Sequence, residues 1–158
     1  MYSRILIPLD GKLSSEAVLP HVKRLAQGTE TEMVLLHVVL SPAPELAIPS
    51  RPLVKDRDSN RREKVVNYLK KTSGVLEKDG GRATYLIREG GVAETILEVA
   101  DFMQIDLIAM STQGRSPAQI LLLGNVTYQV VRHSPLPMLV VRSKPKFVRR
   151  RPQTPEPA

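Results

Sequence analysis

A chain of 158 residues, 42% hydrophobic and 25% charged, has the size and composition of one globular domain. It contains no cysteine, which excludes disulfides and thiolate metal sites, and its three histidines lack zinc-binding spacing, so we expect no structural metal. No apolar run reaches the roughly 18 residues of a membrane helix, and the first ten residues lack the apolar stretch and cleavage site of a signal peptide. We therefore expect a cytoplasmic protein without membrane association.

The formal net charge of +7 is concentrated at the C-terminal end of the chain. The proline-rich segment from Ser143 to Ala158 carries +4, which leaves +3 for residues 1–142. Aromatic residues make up only 4%, too few for a surface on which bases stack, so we expect no nucleic-acid partner. The sequence predicts one domain over residues 1–142 and a basic, disordered tail over residues 143–158.

The first predicted strand is the apolar run Arg4–Pro8, which an Asp-Gly turn follows. A helix is predicted from Ser14 or Ser15 to a stop at Gly28, and Pro20 within it predicts a local kink. Its inward face is predicted to consist of Val18, Val22 and Leu25.

In the middle of the chain, apolar runs typical of strands again alternate with the spacing typical of helices. Met33–Val39 predicts a strand buried on both faces, and the four prolines of Leu40–Asp58 predict a surface loop. Asp58–Lys78 predicts a long helix, and Ala83–Arg88 predicts the third strand. The inward positions of this helix are predicted to be Val65, Leu69, Thr72 and Leu76.

The last part of the chain predicts two further helix and strand pairs. The helices are Val92–Met103 and Val126–His133, and the strands are Asp106–Met110 and Met138–Val141. In the first of these helices we expect Ala93, Ile96, Leu97 and Ala100 to face inward. Five strands alternating with four main helices predict an α/β fold: a single doubly wound, Rossmann-like open sheet of five parallel strands with helices on both faces.

In such a sheet, ligands bind beyond the carboxyl ends of the strands, where the strand order reverses. Asp10 follows the first strand, and Val38 lies near the end of the second. The loop Ser111–Asn125 joins the fourth strand to the last helix, whose free N–H groups suit an anion. It contains Gly114, which would let a phosphate approach the backbone, and Arg115, which would add a charged contact.

The same loop residues also fit a protein without a ligand. Gly114 serves a turn equally well, and Asn125 is a favoured N-cap in any helix. The loop has neither the Gly-Lys-Ser/Thr end of a Walker loop nor a Gly-x-Gly-x-x-Gly pattern. The residues alone therefore leave the phosphate site and the purely structural alternative open.

Several short segments, taken in order, carry a resemblance to a known family. They are Ile5–Asp10, Leu35–Val38, Ile87–Gly90 followed by Ala93, Glu94 and Ile96, Asp106–Met110, and Pro137–Val141. With these segments the chain resembles the universal stress protein family as far as about Arg142. Each segment is similar to one of that family's five strands or to the residues directly after it.

Nucleotide-binding members of that family carry a glycine, two residues, a second glycine, nine residues, and then a glycine followed by Ser or Thr. This chain keeps the spacing with Ser111, Gly114, Gly124 and Asn125. Ser111 replaces the first glycine and adds a Cβ where ribose and phosphates would lie, and any positive φ there would be costly. Asn125 replaces the hydroxyl residue, and its amide can still donate to a phosphate or cap the helix.

The resemblance implies that the chain binds ATP or a related adenine nucleotide, with or without magnesium. Asp10 would hold the adenosine part, unless it serves only the Asp-Gly turn, and Val38 would meet adenine through its backbone. Met110 would pack on the nucleotide or belong to the ordinary core, and His37 beside this edge is expected to be structural. The predicted nucleotide-binding residues are Pro8, Leu9, Asp10, Val38, Met110, Ser111, Thr112, Gln113, Gly114, Arg115, Gly124, Asn125 and Val126.

The resemblance also implies a function in stress response or signalling, as a homodimer through strand Met138–Val141 and with an unknown signalling partner. The alternative is a dimerisation or regulatory module of the same family whose altered loop no longer holds ATP. We expect weak or no ATPase activity, because the sequence offers no nucleophile elbow and no committed magnesium carboxylate. An adenylate-forming enzyme would need a Ser-Gly-Gly loop where this chain has Asp10–Ser14.

Overall fold

The structure is a computed structural model that describes residues 1–40, 55–113 and 125–143. Within these ranges no helix is both long and apolar enough to cross a membrane. The elements in chain order are β1 (Arg4–Pro8), a 3-10 helix (Ser15–Val18), α1 (Leu19–Ala26), β2 (Glu32–Val39), α2 (Lys55–Lys78), β3 (Arg82–Glu89), α3 (Val92–Phe102), β4 (Leu107–Gln113), α4 (Asn125–His133) and β5 (Met138–Ser143).

The five strands form one parallel sheet in the order β3-β2-β1-β4-β5. The first strand lies in the centre, with β2 and β3 on one side and β4 and β5 on the other. The chain order therefore reverses between β1 and β4, and all carboxyl ends lie at one edge. The predicted fold, an open parallel sheet covered by helices on both faces, is confirmed.

Alternate side chains along the strands build one core on each face of the sheet. Burial of one Val, Leu, Ile or Met side chain contributes about 1.5–3 kcal/mol to the free energy of unfolding. The core under α1 and α2 includes Ile5, Ile7, Leu9, Val18, Val22, Met33, Leu35, Leu69 and Leu76. The core under α3 and α4 includes Leu6, Val34, Leu36, Ala93, Ile96, Ile108, Met110 and Val130.

The first helix differs from its predicted form at Pro20 and Leu25. Because the 3-10 helix precedes α1, Pro20 lies in the first turn of α1, where its missing N–H breaks no helical hydrogen bond. The single helix predicted from Ser14 or Ser15 to Gly28 is therefore divided before Pro20 into a 3-10 helix and α1. Leu25 is 44% exposed and Ala26 is buried in its place, since the inward positions recur every four residues from Val18.

The fourth strand extends beyond its predicted end at Met110. Ser111, Thr112 and Gln113 pair with the last three residues of β5. The predicted loop therefore begins after Gln113 rather than at Ser111. Polar side chains gave no strand signal here, but the backbone of a paired strand still completes its hydrogen bonds against β5.

Candidate functional site

The strands β1 and β4 separate at the edge of the sheet where the ligand was predicted. They pair through two residues each, of which Leu6 and Ile108 are the last. In contrast, β1 remains paired with β2 up to Pro8, and β4 remains paired with β5 up to Gln113. The two strands therefore diverge and leave a crevice between their carboxyl ends, at the point where the strand order reverses.

The turn that follows β1 orients the carboxylate of Asp10. The Lys12 N–H donates to Oδ1 of Asp10 at 2.9 Å, and the Lys12 ammonium lies 3.6 Å from Oδ2. The hydroxyl of Ser15 accepts from the Asp10 N–H at 3.4 Å and donates to the Lys12 carbonyl at 2.7 Å. Gly11 has φ +81°, a conformation that favours glycine. The Asp-Gly turn is thus real, and it leaves the Asp10 carboxylate exposed at the crevice.

On the other side of β1, the end of β2 holds Leu9 by two hydrogen bonds. The Leu9 N–H donates to the Leu36 carbonyl at 2.8 Å, and the ring Nδ1 of His37 lies 2.8 Å from the Leu9 carbonyl oxygen. Backbone groups two residues apart on a strand point to the same side. The N–H and C=O of Val38 therefore point toward the β1 side, beyond the last pair of β1 with β2.

Side chains at the end of β4 point alternately to the two faces of the sheet. Met110 is 6% exposed and packs in the core under α3 and α4. The hydroxyl of Ser111 donates to the carbonyl oxygen of Ser15 at 2.9 Å on the opposite face. Among the described non-glycine residues only Gln104 has a positive φ, so Ser111 carries none of the backbone strain considered above.

The structure brings eight of the thirteen predicted residues together at one edge of the sheet and leaves three of them outside the described residues. Asn125 opens α4, and Val126 packs on the core under α3 and α4. Gly114, Arg115 and Gly124 lie outside the described residues. The predicted residues that share the carboxyl edge of the sheet are Pro8, Leu9, Asp10, Val38, Met110, Ser111, Thr112 and Gln113.

A separate groove of about 760 Å³ lies between α1 and α2. It is lined by Leu19, Lys23, Tyr68 and Val75 among others, and by none of the predicted nucleotide-binding residues. The Tyr68 hydroxyl is buried and has no hydrogen-bond partner among the described residues. Burial, followed by the nearby Glu16 carboxylate, raises the pKa of Tyr68. Over the same described ranges, no three His, Asp or Glu side chains are grouped to hold a metal ion.

A family model described as the universal stress protein family matches residues 1–142. The chain belongs to the universal stress protein family. The match covers all the described elements except the last residue of β5.

Other members of the family align with nearly the whole chain. Universal stress protein MJ0531 of Methanocaldococcus jannaschii is 30% identical over 146 residues, which cover 92% of this chain and 85% of that protein. The solved structure of MJ0577, from the same organism, has a TM-score of 0.76 at 30% identity and covers 91% of this chain and 98% of that one. A universal stress protein from Archaeoglobus fulgidus, solved in complex with dAMP, has a TM-score of 0.63 at 17% identity, with 89% and 98% covered.

Two contacts in this family member were missed by reasoning from the sequence. Ser15 was considered only as a helix cap, yet its carbonyl accepts from Ser111 and its hydroxyl supports the turn of Asp10. The bond between His37 and Leu9 was also missed. The contacts of Ser15 with Ser111 and of His37 with Leu9 join residues far apart in sequence and depend on where β1 ends, which no local pattern indicates.

Proposed function

We propose that this universal stress protein binds an adenine nucleotide, ATP or a close relative, in the crevice between β1 and β4. The observation that carries the proposal is the divergence of these two strands at the switch point, with Asp10 on one side and Ser111 on the other. Family membership and the dAMP complex of a neighbour with the same fold support the choice of an adenine nucleotide.

The adenine base would lie at the end of β2. The N–H and C=O of Val38 point to the side of the sheet on which β1 has already ended. One donor and one acceptor side by side match the ring nitrogen and exocyclic amine of adenine. Because backbone groups supply both bonds, the side chain of Val38 remains free to pack on the core, as it does.

The ribose would lie beside Asp10. Its carboxylate is held by the Lys12 N–H at 2.9 Å and still faces solvent. A carboxylate accepts strong hydrogen bonds from hydroxyl groups, so it fits the 2′ and 3′ hydroxyls of a ribose. The Asp-Gly turn and the ligand contact are therefore compatible functions of one residue.

The phosphates would lie at the start of α4. Its first residue is Asn125, and the free N–H groups of a helix N-terminus favour an anion. We expect Gly114, Arg115 and Gly124 to complete this part, with magnesium bound through the phosphates where it takes part. The basic tail, residues 143–158, is not assigned a function in the nucleotide site.

We propose binding without turnover, as part of a stress response or signalling function. The Asp10 carboxylate already accepts from Lys12 and lies next to its ammonium group, which suits it to hold a hydroxyl rather than to activate water. Turnover of ATP clearly above a buffer blank, lost in Gly114→Val, would contradict this part of the proposal.

The proposal is tested by identifying what the purified protein carries. Mass spectrometry of the supernatant after denaturation is expected to detect an adenine nucleotide, and calorimetry with added ATP is expected to give saturable binding. Asp10→Asn should weaken the binding about tenfold, because a charge-assisted hydrogen bond becomes a neutral one. An empty protein that also gives no heat and no thermal shift with millimolar ATP would contradict nucleotide binding.

The outer position of β5 favours a second candidate, a dimerisation module that does not hold ATP. Met138, Leu139, Val140 and Val141 are all partly exposed on a strand that pairs only with β4 among the described strands. An uncovered apolar edge promotes aggregation, so pairing with a second copy would protect it. A nucleotide-binding protein can form the same dimer, so dimerisation alone does not distinguish the two candidates. A protein that carries no nucleotide and gives no heat and no thermal shift with millimolar ATP would favour the second candidate.

A further inference from the structure

A side-chain hydrogen bond crosses the crevice where β1 and β4 no longer pair. Ser111 lies three residues beyond Ile108, the last residue of β4 that is paired with β1. Its hydroxyl donates to the carbonyl oxygen of Ser15 at 2.9 Å, and this contact is partly buried. Since the backbone ladder has ended at this level, the bond joins β4 to the chain that follows β1.

Ser15 also forms hydrogen bonds within the turn that contains Asp10. The N–H and the hydroxyl of Ser15 both donate to the Lys12 carbonyl, at 2.9 and 2.7 Å. The hydroxyl also accepts from the Asp10 N–H at 3.4 Å, and the Lys12 N–H holds the Asp10 carboxylate. The position of Ser15 therefore fixes the position of Asp10.

We propose that Ser111 is a positioning residue, which holds Asp10 in place for the ribose by anchoring Ser15 to the end of β4. The proposal rests on the nucleotide site proposed above. It reverses the expectation that the Ser111 side chain obstructs the site. A glycine at this position has no hydroxyl and leaves the turn of Asp10 without this anchor.

The geometry explains why the added side chain does not have to obstruct. Ser111 is in extended strand conformation, so its Cβ causes no backbone strain. Its hydroxyl donates to the carbonyl of Ser15, the first residue of the 3-10 helix, and this helix packs against both β4 and β5. One neutral hydrogen bond of this kind corresponds to a factor of about 3 to 10 in an equilibrium constant.

The first arm of the test uses the nucleotide-free protein. Ser111→Ala keeps the Cβ and removes the hydroxyl, and Ser111→Gly removes both. Amide hydrogen exchange over residues 10–18 is expected to become about 3 to 10 times faster in both variants. Ser73→Ala is the matched control, because it also removes a hydroxyl that donates to a backbone carbonyl, within α2, and it should leave this segment unchanged. Unchanged exchange in Ser111→Ala would overturn the proposal.

The second arm measures ATP affinity by calorimetry. Both Ser111 variants are expected to bind ATP about 3 to 10 times more weakly than the wild type. In a protein that already carries Asp10→Asn, adding Ser111→Ala should cause no further loss of ATP affinity. Tighter binding by Ser111→Gly, or an equal loss in both backgrounds, would overturn the proposal, since these results indicate obstruction or a general loss of structure. If the wild-type protein binds no ATP, the proposed function fails, and the exchange experiment alone decides whether Ser111 anchors the turn.

Discussion

The Nδ1 atom of His37 and the carbonyl oxygen of Leu9 lie 2.8 Å apart, at the level where β1 ends. A carbonyl oxygen can only accept, so Nδ1 carries the proton and donates it. The bond extends the pairing of β2 with β1 by one residue beyond the strand, next to Asp10. This contact agrees with the structural function expected for His37, because it holds the backbone directly before Asp10.

Replacing His37 should reveal the strength of this bond. His37→Leu is expected to lower the free energy of unfolding by about 1 kcal/mol or more, because the half-buried Leu9 carbonyl loses its donor. His37→Asn retains a donor at a similar distance and should recover most of the loss. Urea denaturation at pH 8 measures both, and an equal loss in the two variants would show that shape, rather than the hydrogen bond, matters at this position.

The buried hydroxyl of Tyr68 should reduce stability at neutral pH. It has no hydrogen-bond partner among the residues described, so Tyr68→Phe is expected to raise the free energy of unfolding by about 1 kcal/mol. Burial and then Glu16 raise the pKa of Tyr68, which favours the neutral form in the folded state. Above the ordinary tyrosine pKa of 10.0 the unfolded chain therefore ionises while the folded protein stays neutral, so the stability of the wild type falls as the pH rises above 10.0.

Denaturation of wild-type and Tyr68→Phe protein between pH 7 and about pH 11 measures this difference. The advantage of the variant should grow as the pH rises above 10.0. Tyr85→Phe, which removes a hydroxyl from a 37% exposed ring on β3, is the control and should show no such growth. A difference that stays constant with pH would contradict the environment assigned to Tyr68.

Asp106 should stabilise the N-terminal end of β1 except in acid. Its Oδ2 accepts from the backbone N–H of Arg4 at 2.9 Å and of Ser3 at 2.5 Å, and these bonds lower its pKa below 3.8. Because the pKa of Asp106 is lower in the folded than in the unfolded protein, its carboxylate stabilises the fold above pH 3.8. This stabilisation is lost as the pH falls below 3.8 and the carboxylate is protonated. Asp106→Asn should therefore unfold at lower urea than wild type at pH 7, and the two should converge toward pH 2. Glu98→Gln, at an exposed position of α3, should show no convergence of this kind.

The order of the strands and helices could be predicted because each carries a local signal. The strand predicted at Met33–Val39 and the inward positions Val65, Leu69 and Leu76 of α2 depend on neighbouring residues only, and they were confirmed, whereas the neighbouring Ser73 is buried rather than the predicted Thr72. The fold also followed from the sequence, because alternating strands and helices admit few topologies.

The details of the crevice could not be predicted, because they depend on contacts between distant parts of the chain. The strand extension from Ser111 to Gln113 depends on pairing with β5, and its polar side chains give no strand signal. The contact between Ser111 and Ser15 requires β1 and β4 to diverge, which no local pattern encodes. Leu25 was misplaced because the inward positions recur every four residues, at Val18, Val22 and Ala26, and Leu25 lies one residue before the last of them.

The homodimer proposed through β5 can be tested by removing one outward-pointing N–H group. The Ile108 N–H donates to the Pro137 carbonyl, so the N–H groups of Leu139 and Val141 point toward β4 and that of Val140 points to the open edge. Val140→Pro therefore leaves the pairing with β4 in place and removes a donor from the edge. Multi-angle light scattering should show a dimer for the wild type and a weakened or monomeric species for the variant.

The other outer strand provides the matched control. The Gly90 N–H donates to the Val39 carbonyl, so the N–H of Tyr85, five residues earlier, points away from β2. Tyr85→Pro makes the same change on β3 and should leave the oligomeric state unchanged, because dimerisation is proposed through β5 alone. If both variants dissociate equally, the loss reflects general destabilisation. If Val140→Pro remains as dimeric as the wild type while circular dichroism shows a folded sheet, the dimer forms through another surface.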